Sequence, residues 1–482
     1  MTQPRPGSGL PPVRSPAGLV PSLWEATLPP TERARAEPLD GDADVDVCVV
    51  GAGLTGLSTA YHLLRRDPTI RVLVIEAGHV GFGASGRNGG WCSALFPVST
   101  RSLERRHGMD AALAMRRELV RGVDDVHAMT VAESIDCDWA RGGTVVAARG
   151  PAQLVRAREA VRETARFGVD TLELLDAAGV AEHVRMEGAL GGTWTPDCAR
   201  IHPGRLVHGL ARAVQRHGGR IVEGTRARRI LPGRVETSHG RVRCDVVVRC
   251  TEAYTPLLGR GQTNSVVPVY SLVLATAPLP QKVWDRIGLT RGQTFSEYRH
   301  LVVYGQRTAD DRMVFGGRGA PYHWGSSVQS RFDTDRRVHA GLADLLLRLF
   351  PVLCPGGSGG LLDSGLPVEF TWGGPLGIAR DWHPSVGYDR ARCTAWAGGY
   401  VGDGVALSQL AGATLADLVT GTTTRRTELP WVGHESPRWE PEPLRWAGVN
   451  AGLRLAVTAD AHERISGQPS RLGGLLSRLT GG

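Results

Sequence analysis

The sequence predicts an α/β fold of two domains, in which a Rossmann-type nucleotide-binding domain is interleaved with a domain built on a mixed or antiparallel sheet. Three observations predict it. The 482 residues exceed what one hydrophobic core usually serves. Two buried strands, joined by a glycine-rich turn and a helix, follow one another within residues 45–76. Strand-like pieces then alternate over residues 266–315, as they do in an antiparallel sheet.

The elements follow from hydrophobic periodicity. Continuous apolar runs predict buried strands, and apolar residues at helical spacing predict helices. Glycines at 218 and 219 and a proline at 351 mark helix ends. The predicted strands are 45–50, 71–76, 220–223, 244–250, 270–276 and 301–304, and the predicted helices are 55–66, 153–167, 203–217, 342–350 and 405–419.

These elements give a domain plan. The nucleotide-binding domain is assigned to residues 44–100, 200–260 and 380–421, the second domain to 101–199 and 261–379, a flexible Pro- and Arg-rich leader to 1–43, and a C-terminal extension to 422–482. Tryptophans at 431, 439 and 446 predict that the extension packs against the body or against a neighbouring subunit. The extension is therefore the candidate surface for oligomer formation.

Composition argues against several classes of partner. The formal net charge is +8, but the basic residues are almost all Arg and are read as solvated surface, so no nucleic-acid partner is expected. No apolar run reaches the ~18 residues needed to span a bilayer, and the N-terminus lacks signal-peptide order, so a cytoplasmic protein without membrane attachment is expected. The eight cysteines show no zinc-ligand spacing, and no metal site is expected.

The first chemical motif is a G-x-G-x-x-G fingerprint between the first strand and the first helix. It consists of Gly51, Ala52, Gly53, Leu54, Thr55 and Gly56. Glu76, at the end of the next strand, is placed to accept hydrogen bonds from ribose hydroxyls. A pyrophosphate would lie at the helix N-terminus, where free N–H groups favour anions. The alternative is a glycine turn in an ordinary α/β core. The fingerprint alone does not separate FAD from NAD.

The following loop favours FAD. Seven of the ten residues from 81 to 90 are Gly, Ala or Ser, so the backbone can pass close to a bulky ligand. Arg87 and Asn88 add hydrogen-bond donors. Beside the βαβ unit, such a loop is best explained as running along a flavin, although a bare loop is the competing interpretation.

At these residues the sequence resembles the D-amino acid oxidase superfamily of FAD enzymes. Its closest resemblance is to the γ-glutamylputrescine oxidoreductase branch, whose loop is almost identical over residues 83–90. Further matching segments follow in the expected order, at 201–203, 248–255, 313–317 and 399–406. The resemblance covers residues 45–421.

The resemblance implies an FAD site and a reaction. The implied cofactor-binding residues are Gly51, Ala52, Gly53, Leu54, Thr55, Gly56, Glu76, Ala77, Gly83, Ala84, Ser85, Arg87, Asn88, Gly89, Gly90, Ala227, Thr251, Gly399, Gly402, Gly404 and Val405. FAD is expected to be bound without a covalent tether, since no equivalent Cys or His is found. The implied reaction is hydride transfer from the α-carbon of a small amine or amino acid to flavin N5, hydrolysis of the imine, and reoxidation by O2 to give H2O2.

The candidate catalytic residues are Arg87, Tyr254 and Tyr400, whose motifs touch the flavin in the relatives. Other candidates to face the ring are Trp91, Tyr270, Tyr298, Tyr304, Trp372 and His383, and Arg318 is a candidate to bind a substrate carboxylate. Lys282, the sole lysine, lies in a Pro-rich stretch, so a dehydrogenase that uses another acceptor stays open. A non-catalytic flavin-binding subunit is the alternative from another functional class.

Overall fold

The computed structural model describes residues 21–168, 171–259, 262, 264–354 and 365–474. In chain order its strands are β1 (Ala43–Val50), β2 (Val72–Ile75), β3 (Trp91–Ser93), β4 (Thr144–Ala148), β5 (Glu173–Asp176), β6 (Gly191–Thr195), β7 (Cys198–Arg200), β8 (Arg220–Val222), β9 (Ala227–Leu231), β10 (Arg234–Thr237), β11 (Arg241–Arg249), β12 (Val267–Thr276), β13 (Thr294–Glu297), β14 (Val303–Arg307), β15 (Met313–Arg318), β16 (Val368–Ile378), β17 (Ser385–Asp389) and β18 (Thr394–Gly398). Its helices are α1 (Leu23–Ala26), α2 (Leu54–Arg66), α3 (Thr100–His107), α4 (Met109–Ala132), α5 (Pro151–Arg166), α6 (Ala177–His183), α7 (Pro203–Arg216), α8 (Gln281–Ile287), α9 (Arg336–Leu349), α10 (Gly404–Thr420) and α11 (Leu444–Ser466).

The first sheet is the core of the nucleotide-binding domain. Its strand order is β17-β18-β11-β1-β2-β8, and β18, β11, β1, β2 and β8 run parallel. The last four residues of β1 are buried, as expected for a strand covered on both faces. The chain passes from β1 to β2 on one side and later places β11 on the other. Ligands of such sheets bind at the carboxyl ends of the strands, where the strand order reverses.

The second sheet is largely antiparallel. Its order is β16-β12-β15-β14-β13-β4-β6-β5, and β13 with β4 is the one parallel pair among these described strands. Helix α9 packs on it through leucines that include Leu342 and Leu346. The predicted fold class, with a mixed nucleotide-binding sheet and a largely antiparallel second sheet, is confirmed.

Helix α10 joins the parts of the first domain. Almost all of its side chains from Val405 to Asp417 are buried, because it lies between α2, α4 and the sheet. The helix ends at Gly421, whose φ of 71° is the left-handed conformation that favours glycine. Helix α4, which the domain plan groups with the second domain, packs on this first core instead.

Both ends of the described chain are more ordered than the composition suggests. In the leader, Trp24 and Leu39 are buried, whereas residues 1–20 lie outside the described residues. In the extension, Trp431 is buried in the first core, and Trp439 packs beside Ile378. The extension therefore packs against the body of its own chain. Within the described part of the chain, no helix has the length and apolar character needed to cross a bilayer.

Candidate active site

A cleft of about 470 Å³ lies at the carboxyl ends of β1, β2 and β11. Its size is in the range of cofactor and ligand sites. Fifteen of the predicted cofactor residues line it, namely Gly51, Gly53, Leu54, Thr55, Glu76, Ala77, Gly83, Ala84, Ser85, Asn88, Ala227, Thr251, Gly402, Gly404 and Val405. These residues come from all three segments of the predicted nucleotide-binding domain, so the fold brings distant motifs to one site.

The fingerprint glycines form a tight backbone cradle at the start of α2. A Cβ on Gly56 would lie 1.9 Å from the carbonyl oxygen of Gly51, and a Cβ on Gly53 would lie 2.8 Å from Ser85 Oγ. Gly51 has a φ of 109°, which few other residues adopt. Since Ser85 Oγ accepts the N–H of Leu54 at 2.8 Å, the following loop is tied to the helix N-terminus.

Glu76 lies where the adenosine half of a dinucleotide is expected. Its carboxylate accepts the backbone N–H groups of Ala52 at 2.9 Å and Gly78 at 2.8 Å. Burial raises the pKa of Glu76, and these hydrogen bonds oppose that rise. Ala52 itself does not line the cleft in the described residues. It contributes through its N–H group, which orients Glu76.

The loop of residues 83–90 is stabilised by its own asparagine. The Asn88 amide donates to the carbonyl oxygens of Ala84 and Ser85, both at 3.0 Å, and its Oδ1 accepts the N–H of Gly90 at 2.8 Å. Gly89 lies under Tyr304, where a Cβ would come within 2.4 Å of the ring. Gly89 and Gly90 therefore permit close packing beneath the loop and are not part of the described cleft wall.

Tyr254 and Tyr400 both line the cleft. Tyr254 lies against Gly83, where a Cβ would be 3.1 Å from the ring, and burial raises its pKa. The Tyr400 hydroxyl accepts a hydrogen bond from Thr55 Oγ1 at 3.2 Å. Burial also raises the pKa of Tyr400, so both phenols are neutral donors at physiological pH.

Arg87 lies behind the cleft wall and pairs with Asp333. Its Nε donates to the carbonyl oxygen of Gly373 at 2.6 Å, and its Nη2 donates to Asp333 Oδ2 at 3.2 Å. The cleft-lining groups in the described residues include Asp333 but not Arg87. These two bonds direct the Arg87 guanidinium toward Gly373 and Asp333, and the catalytic role assigned to Arg87 from the sequence stays a prediction. Burial raises the pKa of Asp333 to about 6, and Arg87 opposes the rise.

Sequence reasoning missed two carboxyl groups at the cleft. Asp333 precedes α9 in a polar loop that carries no recognisable motif. Glu252 lies three residues beyond the end of β11 and lines the cleft, and its carboxylate accepts the N–H of Gly399 at 2.8 Å. Its position at the carboxyl end of a parallel strand is the signal that identifies such a residue.

The other predicted contacts are distributed through the second domain and the core. Tyr304 donates to or accepts from Ser271 at 2.8 Å, and Trp372 donates to the carbonyl oxygen of Arg87 at 2.9 Å. Tyr298 bonds Thr193, and His383 stacks on His434 of the extension. These groups therefore have structural partners outside the described cleft lining.

Arg318 is half-buried beside the loop that follows β18. Its guanidinium donates to the carbonyl oxygen of Val401 and lies 5.4 Å from the centre of the Trp382 ring. Burial raises the pKa of the neighbouring Asp403 to about 6, and the positive charge of Arg318 opposes that rise. Arg318 also adjoins Gly402, which lines the cleft.

A family model for FAD dependent oxidoreductases matches residues 46–418, which is more than half of the chain. The chain belongs to this FAD-dependent oxidoreductase family. The predicted resemblance to the D-amino acid oxidase superfamily is thereby confirmed. Among its relatives, this FAD-dependent oxidoreductase is 30% identical to the gamma-glutamylputrescine oxidoreductase of Escherichia coli, over 81% of this chain and 87% of the relative. It is 28% identical to the probable oxidoreductase OrdL of Rhizobium meliloti, over 84% of this chain and 89% of the relative.

Solved structures share the fold of this FAD-dependent oxidoreductase. The glycine oxidase of Geobacillus kaustophilus superposes with a TM-score of 0.64 at 22% identity, over 79% of this chain and 96% of that structure. The L-proline dehydrogenase of P. horikoshii also gives a TM-score of 0.64, at 18% identity, over 81% of this chain and 96% of that structure.

The cleft fits FAD. Its glycine cradle at Gly53 adjoins the N-terminus of α2, which favours a pyrophosphate. The cleft also meets the N-terminus of α10 at Gly404, where the helix dipole favours negative charge. Because Glu76 and Ala227 line the same cleft, one molecule containing both a nucleotide and a flavin could contact all three segments of the predicted nucleotide-binding domain.

Proposed function

We propose that this protein oxidises the CH–NH bond of a small amine or amino acid with bound FAD as hydride acceptor. The observation that supports it best is the single cleft that joins the fingerprint glycines, the loop of residues 83–90 and the N-terminus of α10. Its relative from Escherichia coli bears the name of an amine oxidoreductase, which supports an amine as substrate. Bound FAD would supply the hydride acceptor.

The protein's contribution is to orient a neutral amine and to keep water away. Tyr254 and Tyr400 present neutral phenols to the cleft, and we assign them to contact with flavin or substrate. The N-terminus of α10 would stabilise negative charge near Gly402 and Val405. Arg87 is assigned to support of the loop, through Gly373 and Asp333.

We propose that FAD is held without a covalent bond. Cys250 is the cysteine that lines the described cleft, and burial raises its pKa to about 12. Because a thiolate is the reactive form of cysteine, such a thiol is a poor nucleophile at neutral pH. Acid precipitation of the purified protein should therefore release all the flavin into the supernatant, and yellow colour left in the pellet would contradict the proposal.

The proposed electron acceptor is O2, with a dehydrogenase as the second candidate. Lys282 is exposed on α8, outside the described cleft lining, so it does not supply a positive charge above a flavin. A cation that does lie beside the cleft lining is Arg318, whose Nη2 would be 3.5 Å from a Cβ on Gly402.

The deciding experiment mixes the yellow protein anaerobically with panels of polyamines, amino acids and amino-phosphonates while flavin absorbance is followed. Bleaching by an amine supports the proposed reaction. On admission of air, rapid return of colour with H2O2 identifies an oxidase, whereas slow return identifies a dehydrogenase. A flavin that stays oxidised with every compound would refute the proposal in favour of a non-catalytic flavin-binding protein.

A further inference from the structure

Glu252 has an unusual backbone and an unusual position. It follows β11 at the cleft, and its φ of 39° is a left-handed conformation that is strained for a residue with a side chain. Such strain persists only where surrounding contacts hold the residue in place. The contacts of its carboxylate explain why it is retained here.

The Glu252 carboxylate joins three segments that are distant in sequence. It accepts the backbone N–H groups of Gly399 at 2.8 Å and Tyr400 at 3.2 Å, in the loop between β18 and α10. On its other side lies β16 of the second sheet, where a Cβ on Gly377 would be 3.1 Å from Oε1. A Cβ on Gly398 would be 2.7 Å from Oε2, so glycine backbone forms the walls of this carboxylate site.

We propose that Glu252 is a positioning residue, whose carboxylate holds the loop of residues 398–404 in the conformation that completes the FAD cleft. Gly402 and Gly404 of that loop line the cleft, and α10 starts at its end. If an amide nitrogen replaces one carboxylate oxygen, one N–H group of the loop loses its acceptor. The loop then moves away from β11, and the cleft loses its shape.

The surroundings of Glu252 put its charge change within an accessible pH range. Burial raises its pKa to about 7, and hydrogen bonds from Gly399, Tyr400 and Gly377 oppose the rise. Arg249 on β11 also favours the charged form. Tyr400, from the loop, also faces Glu252, and burial raises the pKa of its phenol, so it stays neutral near pH 7. Gly377, its neighbour on β16, carries no side chain.

The proposed role of Glu252 has two tests. The FAD-binding experiment rests on the proposed function, whereas the structural experiment uses flavin-free protein and does not. The raised pKa means that the buried carboxylate takes up a proton more readily than a solvated one, so acid does not release the loop, and the test removes the carboxylate by substitution. Loss of one hydrogen bond to a charged acceptor corresponds to about a tenfold rise in the Kd for FAD.

The binding experiment titrates apoprotein with FAD at pH 8, where the Glu252 carboxylate is charged, for the wild type and for Glu252→Gln. Glu252→Gln keeps the shape of the side chain but replaces one acceptor oxygen with an NH2 group, so its Kd for FAD should be about tenfold higher than that of the wild type. Glu118→Gln is the matched control, because Glu118 is a buried glutamate on α4 outside the described cleft lining, and it should keep the wild-type Kd.

The structural experiment needs no FAD. Amide hydrogen exchange of a peptide spanning residues 398–404 should be faster in Glu252→Gln than in the wild type at pH 8, in flavin-free protein. Gly377→Ala tests the same contact from β16, since its Cβ crowds Oε1, and should act in the same direction.

Equal exchange in the wild type and both variants would overturn the proposed role of Glu252, as would an FAD affinity of Glu252→Gln equal to that of the wild type. A wild-type protein that binds no FAD would overturn the proposed function instead. The exchange comparison would still decide the role of Glu252 in that case.

Discussion

Arg87 and Asp333 illustrate how single residues at the cleft depend on distant partners. Their side chains are 7% and 9% exposed, and they join the loop of residues 83–90 to the second domain. Desolvation makes a buried ion pair a small net contributor to stability, but removal of one partner leaves a buried charge uncompensated. Substitution of either Arg87 or Asp333 is therefore expected to destabilise the protein.

Asp333→Asn should lower the free energy of unfolding by about 1.5–3 kcal/mol, because the hydrogen bond from Arg87 then reaches a neutral acceptor instead of a carboxylate. Urea denaturation at pH 8, where Asp333 is ionised, measures it. The control is Arg243→Gln, which breaks an exposed pair with Asp44 and should leave the unfolding midpoint unchanged. If both variants unfold at the same midpoint, the Arg87 pair is not a structural requirement.

Substitution of two helix glycines by alanine should change the stability of the protein in opposite directions. Gly56→Ala places a methyl group 1.9 Å from the Gly51 carbonyl, so it should cost about 3 kcal/mol or more and abolish FAD binding. Gly341 lies in α9 with open space around it, and Gly341→Ala should stabilise by about 0.5–1 kcal/mol. Thermal unfolding followed by circular dichroism compares them, and a Gly56→Ala protein as stable as the wild type would show that the cradle can relax.

At the scale of elements, the short helix α1 stabilises the loop of residues 83–90. Ser22 Oγ donates to the carbonyl oxygen of Gly86 at 2.8 Å, and Trp24 Nε1 donates to that of Asn88 at 2.7 Å. The Trp24 ring packs edge-on against His202 and Trp372. The leader thus takes part in the cleft without lining it.

Trp24→Ala should destabilise the protein by about 3 to 5 kcal/mol and weaken FAD binding, since it removes both a buried ring and a hydrogen bond to the loop. Trp24→Phe keeps most of the packing and should show mainly the weaker FAD binding. Trp324→Ala removes a side chain that is 58% exposed and serves as the control. Denaturant titration measures the change in stability, and FAD titration measures the change in affinity. Unchanged FAD affinity in both Trp24 variants would show that α1 does not stabilise the loop of residues 83–90 for FAD binding.

At the scale of the whole molecule, α11 is clamped to the second domain by charged groups. Glu463 accepts hydrogen bonds from Arg156 at 2.7 Å and from the backbone of Ser470 at 2.9 Å. Asp460 accepts the backbone N–H of His300 at 2.7 Å. Arg156 donates to both Glu463 oxygens, so this cluster is explained as an ion-pair network and not as a metal site.

The ion-pair network around Glu463 should weaken at acid pH. Burial alone would raise the pKa of Glu463, but hydrogen bonds from Arg156, Ser470 and His300 outweigh it and lower the pKa to about 2. Because the folded-state pKa lies below the ordinary value, the stabilisation is present above about pH 4.5 and is lost as pH falls toward 2. Glu463→Gln removes the carboxylate charge, so it should weaken this network already at pH 7.

Hydrogen exchange of residues 444–466 at pH 7 measures the effect, with a roughly tenfold faster exchange expected in Glu463→Gln. Arg454→Gln changes an exposed charge on the same helix and should leave exchange unchanged. Equal protection in all three proteins would mean that apolar packing alone holds α11.

The sequence by itself determined the family, the fold class and the segments that form the cleft. These features depend on local patterns, because glycine spacing and apolar periodicity act within a few residues of the chain. Predicted element bounds agree with the structure to within a few residues for α2, α7 and α10. At α9 the predicted start at 342 misses the first turn and a half, whose N-cap is Asp335.

Only the tertiary structure decided what individual polar residues do. Arg87 meets Asp333, Glu252 meets Gly399, and Trp24 meets Asn88, and each pair is separated by more than sixty residues. No local pattern encodes such pairs, since burial and hydrogen-bond partners are set by how sheets and loops from different parts of the chain pack together. For that reason the sequence predicted the family and the fold class correctly, while the long-range polar pairs around the cleft emerged only from the folded chain.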